Sequence, residues 1–260
     1  MKVYNWIFNA LSGMRKPRCF LCETTDPYLK SGLCPACLND FPLNRSACLR
    51  CGSLLPADNL CSNGPDPVAV PAFDTNSLQQ QRLCGACLAN PPAWHTLRAL
   101  CQYQYPAPHL IQGLKYRAQF ANAKQLSRLF ITELTQNKPQ PLPQCLLPVP
   151  LHPSRQQQRG FNQAIELARP VARHFNIPLD TRSVRRTLNT PAQANLDKNQ
   201  RLYNLNNAFS LQRQPACSHV ALFDDVVTTG STVSSLCKLL TQAGVQRVDV
   251  WCIARASKID

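Results

Sequence analysis

Two adjacent carboxylates followed by a run of hydroxyls around a glycine are the groups in this chain best arranged to do chemistry: Asp224, Asp225, then Thr228, Thr229, Gly230, Ser231 and Thr232. Hydroxyl side chains and free backbone N–H groups at a helix N-terminus cradle a phosphate, and a glycine lets the chain approach it closely. Paired carboxylates accept hydrogen bonds from vicinal hydroxyls, such as the 2′ and 3′ groups of a ribose. A phosphate cradle beside a diol clamp describes a ribose 5-phosphate site. An ordinary strand-to-helix turn with a Thr or Ser cap is the plainer alternative, and the length of the string weighs against it.

Two further segments carry cations. Residues 148–164 present His152, Arg155, Arg159 and Asn162, with Gly160 opening a helix. In doubly wound sheets the loops after the strands line the ligand crevice, and arginines there grip a pyrophosphate bidentately. A solvated basic loop is the alternative. Residues 184–201 are polar, basic and without periodicity, and include Arg185, Arg186, Gln193 and Arg201. Such a stretch is either a lid over an anionic substrate or an exposed loop without function.

The elements that must position these groups can be read around them. Val220 to Phe223 is apolar without alternation, as in a strand buried on both faces, which puts the acidic pair at a strand end. Val233, Leu236, Cys237 and Leu240 follow at helical spacing, Gly244 ends the helix, and Val248 to Ala254 is a second strand. Upstream come a strand from Leu97 to Tyr105, a helix starting near Pro108, and a helix carrying Leu126, Leu129, Phe130 and Leu134. A proline-rich loop, 139–143, precedes the strand Cys145 to Val149. The next helix carries Phe161, Ala164, Ile165, Ala168, Val171, Ala172 and Phe175, and Pro170 should kink or split it. Strands alternating with helices predict an α/β domain with a mostly parallel sheet over residues 91–260.

Fourteen cysteines call for a purpose of their own. Eight fall in four Cys-x-x-Cys pairs: Cys19/Cys22, Cys34/Cys37, Cys48/Cys51 and Cys84/Cys87. Without a secretory signal, this pairing reads as zinc ligation in a reducing cytoplasm rather than as disulfides. Two knuckles complete one tetrahedral Cys₄ site, so two structural Zn²⁺ ions and a double zinc ribbon over residues 19–90 are expected. The first two pairs forming one site and the last two the other is the simplest arrangement; cross-pairing stays open. Cys61 lies alone in the long second spacer, as a bystander thiol or a substitute ligand. Residues 1–18 read as a short amphipathic segment, too short and too polar for a signal peptide or a membrane span. The formal charge of +14 falls to about +10 with two thiolate-bound zinc ions, so anionic partners are expected, a pyrophosphorylated sugar or nucleic acid.

The string from Val220 to Thr232 closely resembles the 5-phosphoribosyl 1-pyrophosphate (PRPP) motif of the type I phosphoribosyltransferases. The resemblance implies that Asp224 and Asp225 hold the ribose hydroxyls and that Thr228 to Thr232 hold the 5′-phosphate. Members that salvage hypoxanthine or guanine carry an Asp, a general base, where this chain has Thr228; a threonine hydroxyl is no base near neutral pH, which argues against 6-oxopurine salvage.

Over nearly the whole chain, the Cys pairs, Lys115-Tyr116, Arg159 to Gln163, Gln193, Arg201 with Asn204 and Phe209, and the Asp224 string resemble the ComF family, GntX type. The long insertion with Cys61 departs from its compact ribbon. This resemblance implies a type I phosphoribosyltransferase-like parallel sheet with a small N-terminal double zinc-ribbon domain, and a role in competence and DNA use. It implies a cytoplasmic protein that binds PRPP with Mg²⁺ and transfers its phosphoribosyl group, with Asp224, Asp225 and Arg159 at the reacting centre. Arg155, Arg159, Arg185 and Arg186 would join the acid pair and the loop in binding PRPP. The rival is a non-catalytic adaptor that binds single-stranded DNA, or recruits a helicase or import protein, and keeps the pocket as a PRPP sensor.

Overall fold

The structure, a computed structural model, describes residues 17–26, 29, 32–55, 83–139, 141–188 and 208–256. The chain divides into two compact units between Phe41 and Pro42. The first contains α1 (Pro35–Asp40), where the Cys34 sulfur accepts the Cys37 N–H and Pro35 fills a first-turn position whose N–H would go unpaired anyway.

The second unit holds α2 (Gly85–Ala89), β1 (Leu97–Gln102), α3 (Ala107–Arg117), α4 (Phe120–Gln136), β2 (Cys145–Pro148), α5 (Pro153–Arg159) and α6 (Gln163–Phe175). It continues with β3 (Val184–Arg186), β4 (Phe209–Leu211), β5 (His219–Val227), α7 (Ser231–Gln242) and β6 (Arg247–Arg255). Four strands make one parallel sheet in the order β1-β6-β5-β2, while β3 and β4 form a separate antiparallel pair. Parallel strands end at one edge, so the segments after β2 and β5, which are neighbours, leave the sheet side by side.

The middle strands β5 and β6 read as apolar runs because both their faces are covered. Strand alternation sorts them: Val220, Leu222, Val248 and Val250 join the core that α7 closes with Val233 and Leu236. Phe223 and Trp251 turn the other way, onto Phe130 of α4, with ring centroids 5.5 and 6.0 Å apart. Helix α6 lies along α4, where the Ser127 hydroxyl donates to the Leu167 carbonyl at 2.8 Å. Leu236 is fully buried. Its truncation to alanine would cost about 2–5 kcal/mol.

Three details differ from the sequence expectation. Strand β5 does not end at the acidic pair but runs on to Val227, because β6 keeps pairing with it as far as Arg255. Helix α5 stands where only a loop was expected. Its signal is local: the His152 ring accepts the Ser154 N–H at 3.3 Å and Pro153 sits in the first turn. It buries no residue, so hydrophobic periodicity could not reveal it. Helix α6 is not split by Pro170, which lies half-exposed while Ala164, Leu167, Ala168 and Val171 on the buried face hold both halves against the core. No helix among the described residues is long and apolar enough to cross a membrane. The expected amphipathic segment up to residue 16, the spacer with Cys61, and Gln193, Arg201 and Asn204 lie outside the described residues.

Candidate functional site

The two carboxylates on β5 face different surroundings because neighbours on a strand point to opposite sides. Asp225 is 3% exposed. Its Oδ2 forms an ion pair with Lys115 near the end of α3, and its Oδ1 accepts the Gln163 side-chain N–H at 3.2 Å. Removal from water lowers Lys115, but the charge and hydrogen bond of Asp225 and the charge of Asp224 together outweigh it and leave the ammonium above its ordinary value. Asp224 keeps part of its surface open and accepts the Asp225 backbone N–H at 2.8 Å. Enclosure by protein and then the charge of Asp225 push its carboxyl well above the usual range.

Arg159 reaches this pair through an intermediary. Its guanidinium donates to the Gln163 oxygen at 2.5 Å and lies over the Tyr116 ring, 5.6 Å from the centroid. Asp225 is thus reached directly by Lys115 and, through Gln163, by Arg159. Asn162 caps α6 by accepting the Ala164 N–H at 2.9 Å and donates to the Val149 carbonyl at 3.0 Å, which fixes the segment after β2.

Beyond β5 the chain enters the hydroxyl loop. Thr228 and Thr229 are exposed, and the Thr229 and Ser231 hydroxyls lie 3.0 Å apart. Gly230, at φ +78°, stands in the cap position of α7, which has no side-chain cap. The Ser231 N–H donates to the Thr229 hydroxyl at 3.4 Å, so an anion at the α7 N-terminus would compete with that long bond for the first-turn N–H groups. Gly230 is also sterically required: a Cβ there would come within 2.6 Å of the Trp94 ring.

Other elements carry the arginines. Arg155 lies on α5, and Arg185 and Arg186 on β3. Arg186 packs on Phe209 of β4, 5.5 Å from its ring centroid. Burial and then the like charge of Arg155 lower it, while Asp224 pulls it the other way, so these three charges share one neighbourhood. His152, Arg185, Arg186, Thr187, Ser210 and Gln212 line an open cleft of about 360 Å³ there. An anion in it would meet Arg185 and Arg186.

The cysteine pairs come together as the simplest pairing expected. Cys19, Cys22, Cys34 and Cys37 form one cluster and Cys48, Cys51, Cys84 and Cys87 the other, all sulfurs within 4.8 Å of one another in each. The Cys22–Cys34 and Cys51–Cys84 sulfurs are 3.7 and 3.6 Å apart. Tetrahedral zinc with Zn–S near 2.3 Å needs a spacing of about 3.8 Å. Backbone N–H groups of Cys34 and Cys84 point at the sulfurs of Cys19 and Cys48, at 3.4 and 3.3 Å, which suits thiolates. The residues present fit two Cys₄ zinc sites. The second cluster belongs to the same compact unit as the sheet.

Sequence reasoning missed Arg255 and Trp94. Arg255 is 9% exposed and donates to the carbonyls of Val227, at 3.1 Å, Thr228 and Ala256, and to that of Cys51 at 2.6 Å. The Trp94 N–H donates to the Arg50 carbonyl at 2.5 Å. Neither residue lies in a motif; an arginine closing an otherwise apolar strand was the one available signal.

The class defined by fold and site is a zinc-ribbon protein with a parallel α/β sheet and an acid pair leading into a hydroxyl-rich loop. Residues 15–63 match the double zinc ribbon domain family, a match that stops short of Cys84 and Cys87. The chain is 34% identical to the DNA utilization protein YhgH of Shigella flexneri over 240 residues, 91% of this chain and 96% of the relative. It is 34% identical to competence protein F of Haemophilus influenzae over 248 residues, 92% and 97% of the two chains. The chain belongs to the family of these DNA utilization and competence F proteins. Among solved structures, an adenine phosphoribosyltransferase aligns with TM-score 0.36 and 12% identity over 55% of this chain and 74% of that one.

Proposed function

We propose that this chain serves DNA utilisation in the cytoplasm by binding PRPP with Mg²⁺ and transferring its phosphoribosyl group. The observation that carries the reading is a partly exposed residue, Asp224, followed within a few residues by a helix N-terminus with glycine in the cap position and hydroxyls around it. Ribose hydroxyls would donate to Asp224 and Asp225. The 5′-phosphate would accept from the first-turn N–H groups of α7 and from Thr228, Thr229, Ser231 and Thr232, with Gly230 permitting close approach. Arg155, Arg185 and Arg186 would face the pyrophosphate. Mg²⁺, when bound, would neutralise pyrophosphate charge while keeping several waters.

Departure of pyrophosphate leaves an oxocarbenium-like centre at the anomeric carbon. Asp224 and Asp225 would then hold the ring and supply nearby negative charge. Lys115 and Gln163 keep Asp225 in place, and Arg159 steadies Gln163. A second reading has its own observation: Tyr116 is 76% and Phe120 47% exposed beside Arg159 and Phe161. Basic surface interleaved with aromatics stacks single-stranded DNA, which would make the chain an adaptor for import or helicase proteins with a PRPP-sensing pocket.

Calorimetry on one zinc-loaded preparation, with PRPP and with a single-stranded oligonucleotide, separates these readings. Magnesium-dependent PRPP binding that is lost in Asp224→Asn while DNA affinity persists is the expected result. No PRPP binding at millimolar ligand would overturn the transferase reading and leave the adaptor.

A further inference from the structure

We propose that the second cysteine cluster is a working part of the anion loop: Arg255 and Trp94 tie the loop to the cluster, so that metal at Cys48, Cys51, Cys84 and Cys87 sets the loop's shape before any ligand arrives. The inference rests on the reading of residues 228–232 as a phosphate cradle and assigns Arg255 and Trp94 as its positioning residues.

Two struts leave adjacent carbonyls of one cysteine knuckle. From the Cys51 carbonyl, Arg255 crosses to the Val227 and Thr228 carbonyls, the last of β5 and the first of the loop. From the Arg50 carbonyl, the Trp94 indole reaches the loop glycine, where its ring fills the space a Gly230 side chain would need. The knuckle itself is anchored by three further bonds. The Leu97 N–H donates to the Leu49 carbonyl at 2.8 Å, and Asn44 and Gln102 donate to the Gly52 carbonyl at 3.2 and 3.3 Å.

The chemistry of Arg255 supports a role beyond packing. It is a nearly buried cation whose recorded hydrogen-bond partners among the described residues are all carbonyls. A buried charge held only by dipoles is costly unless a formal opposite charge lies near. A Cys₄ zinc centre carries a net charge of about −2, and Arg255 hydrogen-bonds the carbonyl of one of its four cysteines. Filling the cluster therefore stabilises Arg255 in place, and Arg255 in turn fixes the two carbonyls from which the loop departs. It also puts positive charge behind the site for the phosphate.

Hydrogen–deuterium exchange on the full zinc-loaded chain without ligand tests this. The reporters are the amides of Ser234 and Ala256, bonded to the carbonyls of Gly230 and Val227 at 2.8 and 3.0 Å. The reference is the Val250 amide in the sheet, bonded to Thr96 at 2.8 Å. Cys51→Ser should accelerate both reporters at least tenfold and leave Val250 protected. Cys22→Ser, in the other compact unit, should leave them at the wild-type rate. Arg255→Gln should mimic Cys51→Ser without loss of zinc, and Arg255→Lys should restore part of the protection. If Cys51→Ser exposes Val250 as well, Trp94→Phe and Arg255→Lys decide, since both keep the cluster: either one loosening Ser234 or Ala256 alone supports the strut. Reporters unchanged in every variant, with one zinc lost from Cys51→Ser, would overturn it. Because no ligand is present, a loop that loosens as expected in a chain that never binds PRPP would sink the phosphate reading and spare the strut.

Discussion

Asp225 is almost wholly buried and gripped by residues from two helices, whereas Arg185, on the other side of the candidate site, is exposed on a strand of three residues. The first half of the site, acid pair and loop, is built on the central strand β5 and braced by Lys115, Gln163, Trp94 and Arg255. The second half, Arg155, Arg185 and Arg186, rides on short elements, α5 and β3, and Arg185 and Arg186 line a cleft. A braced half is preorganised and selects shape, which on the proposed function would be a furanose with its 5′-phosphate. A half of long, partly solvated cations gathers charge and adapts to it. The difference teaches that variants in the braced half should damage the fold as well as binding, while variants in the cationic half should damage binding alone.

The largest effect is expected at Lys115. Lys115→Ala leaves the Asp225 carboxylate buried without its cation, and losing one partner of a buried pair costs about 3–5 kcal/mol. Urea denaturation measures it, and adding Asp225→Asn to Lys115→Ala should recover much of the loss. If Lys115→Ala unfolds at the wild-type midpoint, the acid pair is not braced as described. Arg186→Ala should lose about 1.5–3 kcal/mol of pyrophosphate-bearing ligand binding, the scale of a hydrogen bond to a charged group, with stability within about 0.5 kcal/mol of wild type.

Asp224 inverts that pattern. Its carboxyl lies well above the usual range because of enclosure and the charge of Asp225. Such a group weakens the fold progressively as pH rises from the ordinary carboxylate range towards its raised value, so a penalty is present at neutral pH. Asp224→Asn should therefore stabilise the protein at pH 7 by about 0.5–2 kcal/mol while reducing ligand binding. The same shift means that PRPP affinity in the wild type should start to fall, as pH is lowered, before ordinary carboxylates protonate. A Tm that is unchanged or lower in Asp224→Asn at pH 7 would contradict the assigned environment. Thr229→Val should have the smallest effect, about 0.5–1.5 kcal/mol of phosphate binding, because the backbone N–H groups of the cradle remain.

What the sequence revealed and what it hid divide along physical lines. The sheet core was legible because Val220 to Phe223 and Val233 to Leu240 obey short-range periodicities that burial imposes. The cysteine clusters were legible because a knuckle is a local device, although the meeting of Cys51 with Cys84 spans 33 residues of chain. The order of Asp224, Asp225 and the hydroxyls marked the braced half. What braces it was not legible, since Lys115 and Arg255 act from distant helix and strand ends and no local pattern records such pairings. Helix α5 escaped for another reason: a helix that buries nothing leaves no apolar stripe.

The division of the site into two halves is tested most directly by titrating ribose 5-phosphate and inorganic pyrophosphate separately into wild type, Asp224→Asn and Arg186→Ala, each zinc-loaded and with Mg²⁺ present. The account predicts that Asp224→Asn loses ribose 5-phosphate and keeps pyrophosphate, and that Arg186→Ala does the opposite. Equal loss of both ligands in both variants, or binding of neither by the wild type at millimolar concentration, would contradict it.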